Sequence, residues 1–232
     1  MRIQPEVDTV NIVFVGNFNP KIFRPEWFGG QDLLTPGEVA AADIEIIHPE
    51  IAIFSVDWLK VWVDRRRFIL VTSEPPYVRL QDLVARTFGE CLYHTPVETL
   101  GINRSVHFPV VDLKTRDQMG NRLAPQAAWG EWGYHLPGTP EKRGGLRSIT
   151  MEQADPDDRD NGYIRAKVEP SPQLRIGVFV DINDHYVVGR PDETLGCERA
   201  VATVTERFDS SLKRSAWIID QVMALAQEVG HG

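Results

Sequence analysis

TLGINRSVHF, residues 99–108, repeats the outline of TVNIVFVGNF, residues 9–18, with Thr at both starts and Phe at both ends. Both stretches are rich in β-branched and aromatic residues, the composition of a strand. The segments after them are alike too. The first leads into a loop-like stretch, 19–42, carrying Pro20, Pro25, Gly29, Gly30 and Pro36 around Trp27 and Phe28. The second leads into 112–147, where Trp129, Trp132, Tyr134 and His135 sit among prolines and glycines. Strands are then expected at 44–56, 58–63 and 68–72, and in the second half at 146–151, 163–168 and 176–182. The stretch 154–162, acidic and carrying Asn161-Gly162, reads as a hairpin tip.

Each half closes on an amphipathic helix. Leu80, Leu83, Val84, Phe88, Cys91 and Leu92 recur at offsets of three and four. Val201, Val204, Phe208, Leu212, Ala216, Ile219, Val222, Met223 and Ala226 hold helical phase over a longer run. The order strand, tryptophan loop, strands, helix is thus stated twice. It predicts an α+β protein: a duplicated ββββα unit forming an antiparallel sheet, with two long amphipathic helices packed on one face. The 232 residues read as a single domain of two pseudo-repeats, about 8–93 and 97–227, with Phe88 and Phe208 at equivalent inner positions.

Several of these stretches carry a resemblance. RFILVTSE (67–74), the helix at 79–92 and HTPVETLGINRSVHF (94–108) resemble a sporadically distributed family of bacterial proteins. In that family a comparable helix precedes a strand like Leu100-Gly101-Ile102-Asn103-Arg104. VFVDINDHY (178–186), followed by a helix containing ERFDSSLK (206–213), is similar to its closing strand and terminal helix. The likeness covers most of 44–226 through short, hydrophobic motifs. It implies a duplicated, SecB-chaperone-like α+β fold and a genomic setting among mobile or defence genes. It implies no catalytic residues.

The formal charge is −8, from 33 acidic against 25 basic residues, which argues against a nucleic-acid partner. Arg65-Arg66-Arg67 follows Asp64 and reads as a solvated turn. The two cysteines, Cys91 and Cys197, show no metal or redox spacing, and Cys91 lies on an apolar helical stripe as a small buried hydrophobe. The longest N-terminal apolar run, Ile12–Val15, is too short for a signal peptide, and no segment approaches a membrane helix. The expectation is a cytoplasmic protein.

Phosphate-binding loops, nucleophile elbows and zinc-protease signatures are absent from the sequence. Asp181, Asn183 and His185 stand at i, i+2 and i+4, on one face of an extended strand, and such a trio can bind a metal or relay a proton. Val178, Val180 and Ile182 alternate with them, so the trio reads first as the polar side of a one-sided strand ending near an Asn183-Asp184 turn. His107 is conceivable as a cross-strand partner of Asp181. The tryptophan loops either fold back over the sheet or line a groove for a peptide or ligand. On the last helix Trp217 falls almost opposite the apolar stripe, with Ile218 on its flank.

The function expected is a non-enzymatic, protein-binding adaptor or regulator, chaperone-like, in a bacterial defence or toxin-control system. Its partner would be a protein encoded by a neighbouring gene, with a homodimer as a further expectation. Binding is assigned to Trp129, Trp132, His135, Trp217 and Ile218, with no metal or cofactor. Two alternatives stand: a small hydrolase or metal-dependent enzyme using His185, His107 and Asp181, and a small-molecule binding domain.

Overall fold

The computed structural model describes residues 3–137, 144–159, 161–189 and 196–229. In chain order the first half holds β1 (Val7–Gly16), α1 (Pro25–Gly30), α2 (Pro36–Ala40), β2 (Asp43–His48), β3 (Ile51–Val56), β4 (Leu59–Asp64), β5 (Arg67–Thr72) and α3 (Val78–Arg86), which continues as a π turn over Thr87–Cys91. The second half holds β6 (Val97–Pro109), α4 (Leu113–Leu123), a 3₁₀ turn at Gln126–Trp129, α5 (Gly130–Gly133), β7 (Ile149–Ala154), β8 (Gly162–Pro170), β9 (Gly177–Val187) and α6 (Glu198–Val229).

The strands form one nine-stranded antiparallel sheet in the order β2-β3-β4-β5-β1-β6-β9-β8-β7. The two look-alike strands, β1 and β6, therefore lie side by side, with Ile12 opposite Ile102 and Phe14 opposite Leu100. Each is flanked by the last strand of its own half, β5 or β9, which leads into that half's closing helix.

Alternation along the strands fixes which face is buried. Val10, Ile12 and Phe14, Phe68 and Leu70, Val61 and Val63, Leu100 and Ile102 turn to one side and are essentially inaccessible to solvent. Onto that side pack Phe28 of α1, Leu80 and Val84 of α3, Phe88 of the π turn, and Val204 and Phe208 of α6. Phe88 and Phe208 thus lie in one core, on helices that share a face. The Phe88 ring meets Phe68 edge-on at 4.8 Å and Phe14 at 5.1 Å. At roughly 1.5 Å per residue the 32 residues of α6 span about 48 Å. The helix thereby reaches a second core, where Ile219, Met223 and Met119 of α4 cover Val106, Phe108, Val178 and Val180.

Several expectations are corrected. Residues 44–56 form two strands, not one, because the chain turns back between His48 and Ile51; the first half so has five strands and the second four. Only one of the two closing helices is long, since α3 has nine residues before its π turn. The tryptophan loops contain helices, and their starts carry ordinary signals. Thr35 and Glu38 form a reciprocal capping box at α2, and the Asp112 side chain accepts a hydrogen bond from the Thr115 N–H at 2.7 Å to start α4. Strand β9 runs through Asn183-Asp184 to Val187 without turning.

Candidate interaction surfaces

All the described helices of five or more residues pack on one side of the sheet, leaving the other face open. Cross-strand pairing sets the open-face side chains in rows. One row reads Trp62, Ile69, Val13, Gly101, His185, Tyr163 across β4, β5, β1, β6, β9 and β8. The next reads Lys60, Val71, Asn11, Asn103, Asn183, Arg165. The face is thus apolar toward β4 and β5, and amide-rich and aromatic toward β9 and β8.

Asp181, Asn183 and His185 all lie on this open face, as alternation requires, but they do not assemble a site. Asp181 accepts a hydrogen bond from the Ser105 hydroxyl at 2.6 Å. His185 stacks flat on Tyr163, with ring centroids 4.4 Å apart, and the Arg165 guanidinium also lies over the Tyr163 ring. His107 is taken by Ser171, 2.8 Å from its Nδ1, and by the Phe179 ring. The His107–Asp181 pair is therefore not formed, because each has a nearer partner. Burial lowers the pKa of both histidines, and the cations Arg159 and Arg165 add to the effect at His185. Among the described residues no group of three His, Cys, Asp or Glu side chains is placed to hold a metal ion.

Among the described residues, four buried polar atoms on this side lack a hydrogen-bond partner: Trp62 Nε1, Asn103 Oδ1, Asn183 Oδ1 and His185 Nδ1. The Asn103 amide nitrogen does donate to Asn11 Oδ1 at 2.7 Å. Trp62 is roofed by the Arg67 guanidinium, 4.4 Å from the ring centre.

Beneath the same strand lies a group that sequence reasoning missed. Asp184 faces the helices and is only 1% exposed. Arg159, from the tip between β7 and β8, donates to Asp184 Oδ1 at 2.5 Å and to the His185 carbonyl at 2.9 Å, and stacks on Tyr186. Arg214 of α6 donates to Asp158 at 2.6 Å and stands 3.7 Å from Asp184. Burial acts to raise the Asp158 pKa, but hydrogen bonds from Arg214 and Arg159 outweigh it and hold the carboxyl well below the usual range. Two arginines and two aspartates here bind the hairpin tip, β9 and α6 together. The signal was present: Asp184 keeps phase with Val180, Ile182 and Tyr186, so it had to face inward.

The helix-covered side carries the remaining assigned residues. Trp129 and Trp132 are 55% and 58% exposed, with rings 5.6 Å apart, and His135 beyond them is exposed as well. Both tryptophans border a cleft of about 270 Å³, with Leu136, Leu146 and Arg147 among its other walls. Trp217 projects from α6 and is 63% exposed, so neither the tryptophan turn nor the N-terminal arm covers it among the described residues. Ile218 instead packs against the second core, which corrects its assignment as a flank residue. α4 reaches α6 through Arg122, which donates to the Leu225 carbonyl at 3.5 Å.

Cys91, expected as a small buried hydrophobe, is only partly buried where it packs against the first core. Cys197 is fully buried at the start of α6, its thiol donating to the Phe88 carbonyl at 3.0 Å, and burial pushes its pKa up to about 11. Among the described residues no helix is long and apolar enough to cross a membrane. Compared with known proteins, the chain matches no family model and no curated protein.

Proposed function

We propose that this chain is a non-enzymatic, protein-binding adaptor or regulator of a chaperone-like kind. The observation that carries the reading is the exposure of Trp129, Trp132 and Trp217, each more than half accessible, on the helix-bearing side. Tryptophan presents a large, rigid contact area and dominates interface energetics, whereas its exposure costs a monomer solubility with no return. Of the enzyme reading's residues, Asp181 is hydrogen-bonded to Ser105 and His107 to Ser171, and the His185 ring is stacked on Tyr163.

The finer architecture belongs to the same proposal. We read the two halves as repeats of one unit, β1 to α3 and β6 to α6, related to a SecB-like chaperone fold. In support, the strand order is symmetric about the β1–β6 pair, and both closing helices lie on one face. On this reading β2 is an addition to the first repeat. A bacterial defence or toxin-control locus, with the partner encoded beside it, is the setting proposed.

The test is capture of the purified products of neighbouring genes by the tagged chain. Trp217→Ser and the Trp129→Ala/Trp132→Ala pair should each weaken capture at least tenfold, about 1.4 kcal/mol, with an unchanged melting temperature. Retained capture with a lowered melting temperature would return these residues to the fold. A hydrolytic turnover abolished by His185→Ala would replace the adaptor reading with the enzyme.

A further inference from the structure

We infer that the open face of the sheet is a self-association surface, on which a second copy of this chain packs sheet against sheet about a two-fold axis. This surface is opposite the tryptophans, so the inference stands apart from the adaptor reading.

Three observations carry it. The first is extent. Nine strands about 4.8 Å apart make a face roughly 40 Å wide, and strands of six residues or more make it about 20 Å tall. That offers on the order of 800 Å² per copy, the size of a stable protein interface. Val13, Val15, Ile53, Trp62, Ile69 and Val71 form a continuous apolar tract on it, each only partly buried. Contiguous apolar surface of this kind on a monomer marks an interaction site.

The second is charge. A chain of net charge −8 repels itself over most of its surface. On this face the cations are matched at close range: Lys60 with Glu45 at 3.0 Å, Arg67 with Asp64 at 2.9 Å, Arg165 with Glu152 at 2.6 Å and Lys167 with Glu169 at 2.7 Å. Asp181, tied to Ser105, and Asp43 on the edge strand remain. Like can meet like here without a large penalty, whereas a strongly charged partner would find no complement.

The third is the placement of the large side chains. Trp62 and Ile53 stand on β4 and β3, two and three strands to one side of β1, and His185 and Tyr163 stand in the same row on β9 and β8, two and three strands to the other side. A two-fold axis lying over β1 and along the strands brings β4 of one copy over β9 of its mate, and the reverse. Trp62 then lies over His185 of the mate and Ile53 over Tyr163 of the mate, and one operation makes both contacts, as an isologous interface must. Aligned packing of two twisted sheets is the ordinary way to build such a contact.

Sedimentation equilibrium of the 232-residue chain is the test, with circular dichroism as the control for folding. The wild type should have twice the mass of the 26.2 kDa chain. Ile69→Lys should be a folded monomer, and Trp217→Ser should remain a dimer. Ile53→Ser removes apolar surface without adding a charge, so it serves even if the lysine variant fails to fold. It should raise the dissociation constant about tenfold. A wild-type monomer at every concentration, a dimer untouched by Ile69→Lys, or a dissociation constant unmoved by Ile53→Ser would each overturn the inference. The first outcome, with Ile69→Lys abolishing capture of another protein, would give the face to that protein.

Discussion

Asn183 and Asp184 are neighbours in sequence and opposites in structure. One is on the open face of β9, with its carbonyl oxygen unpartnered; the other is under the helices, gripped by Arg159 and Tyr186 and approached by Arg214. The same contrast runs through the whole sheet. The helix side holds both hydrophobic cores and the arginine–aspartate network, so its residues make the fold. The open side holds surface that no described helix uses. On the reading proposed here, the open face serves self-association, while the helix side carries both the fold and the tryptophans assigned to another protein.

The largest expected effect tests that division at its sharpest point. Asp184→Ala leaves Arg159 buried with one carboxylate fewer, and breaking such a pair costs about 3–5 kcal/mol. Asn183→Ala, one residue away, should change the stability of the isolated chain by less than about 1 kcal/mol. Urea unfolding of both variants, at concentrations low enough to keep the chain monomeric, checks the pair. Equal losses would erase the distinction between the faces.

That contrast was half legible in the sequence. The alternation Val178, Val180, Ile182 against Asp181, Asn183, His185 assigned the two faces correctly, because a one-sided sheet forces period-two patterning. Asp184 was misjudged as part of a turn. Its countercharge arrives from Arg159, 25 positions earlier, and no local rule reports a partner at that distance. The likeness of 9–18 to 99–108 located the two central strands, yet the break of 44–56 into β2 and β3 was lost between the isoleucine-rich stretches on either side of it. Its only marker was His48-Pro49-Glu50. The capping box at Thr35–Glu38 and the Asp112 cap were readable, and the prolines and glycines around them concealed both helices. Exposure of Trp217 followed from helical phase, whereas Ile218 sits at the edge of the stripe, where phase does not decide burial.

Acid should separate the faces next, with a smaller effect. A carboxyl whose folded pKa is lowered contributes stability that is complete above its unfolded value and is lost as pH falls toward the folded one. Asp158 therefore begins to withdraw its contribution below about pH 4, and Asp158→Asn should flatten that limb. For His107 and His185 the folded pKa is also lowered, so the unfolded chain takes up protons first. Stability should be level above about pH 6.5 and decline as pH falls below it. His185→Gln should reduce this upper decline and leave the lower limb in place, as read from melting temperature against pH. A decline that survives in the His107→Gln/His185→Gln double variant would assign it to other groups.

Hydroxyl-radical footprinting of the wild-type chain across a concentration series tests the division of the two faces most directly. Trp62 and Tyr163 report on the open face, and Trp132 and Trp217 on the helix side. The account predicts that Trp62 and Tyr163 lose reactivity as the concentration rises, while Trp132 and Trp217 remain fully reactive. Protection of Trp132 and Trp217 with no change at Trp62 and Tyr163 would contradict it, because self-association would then use the side assigned to a different protein.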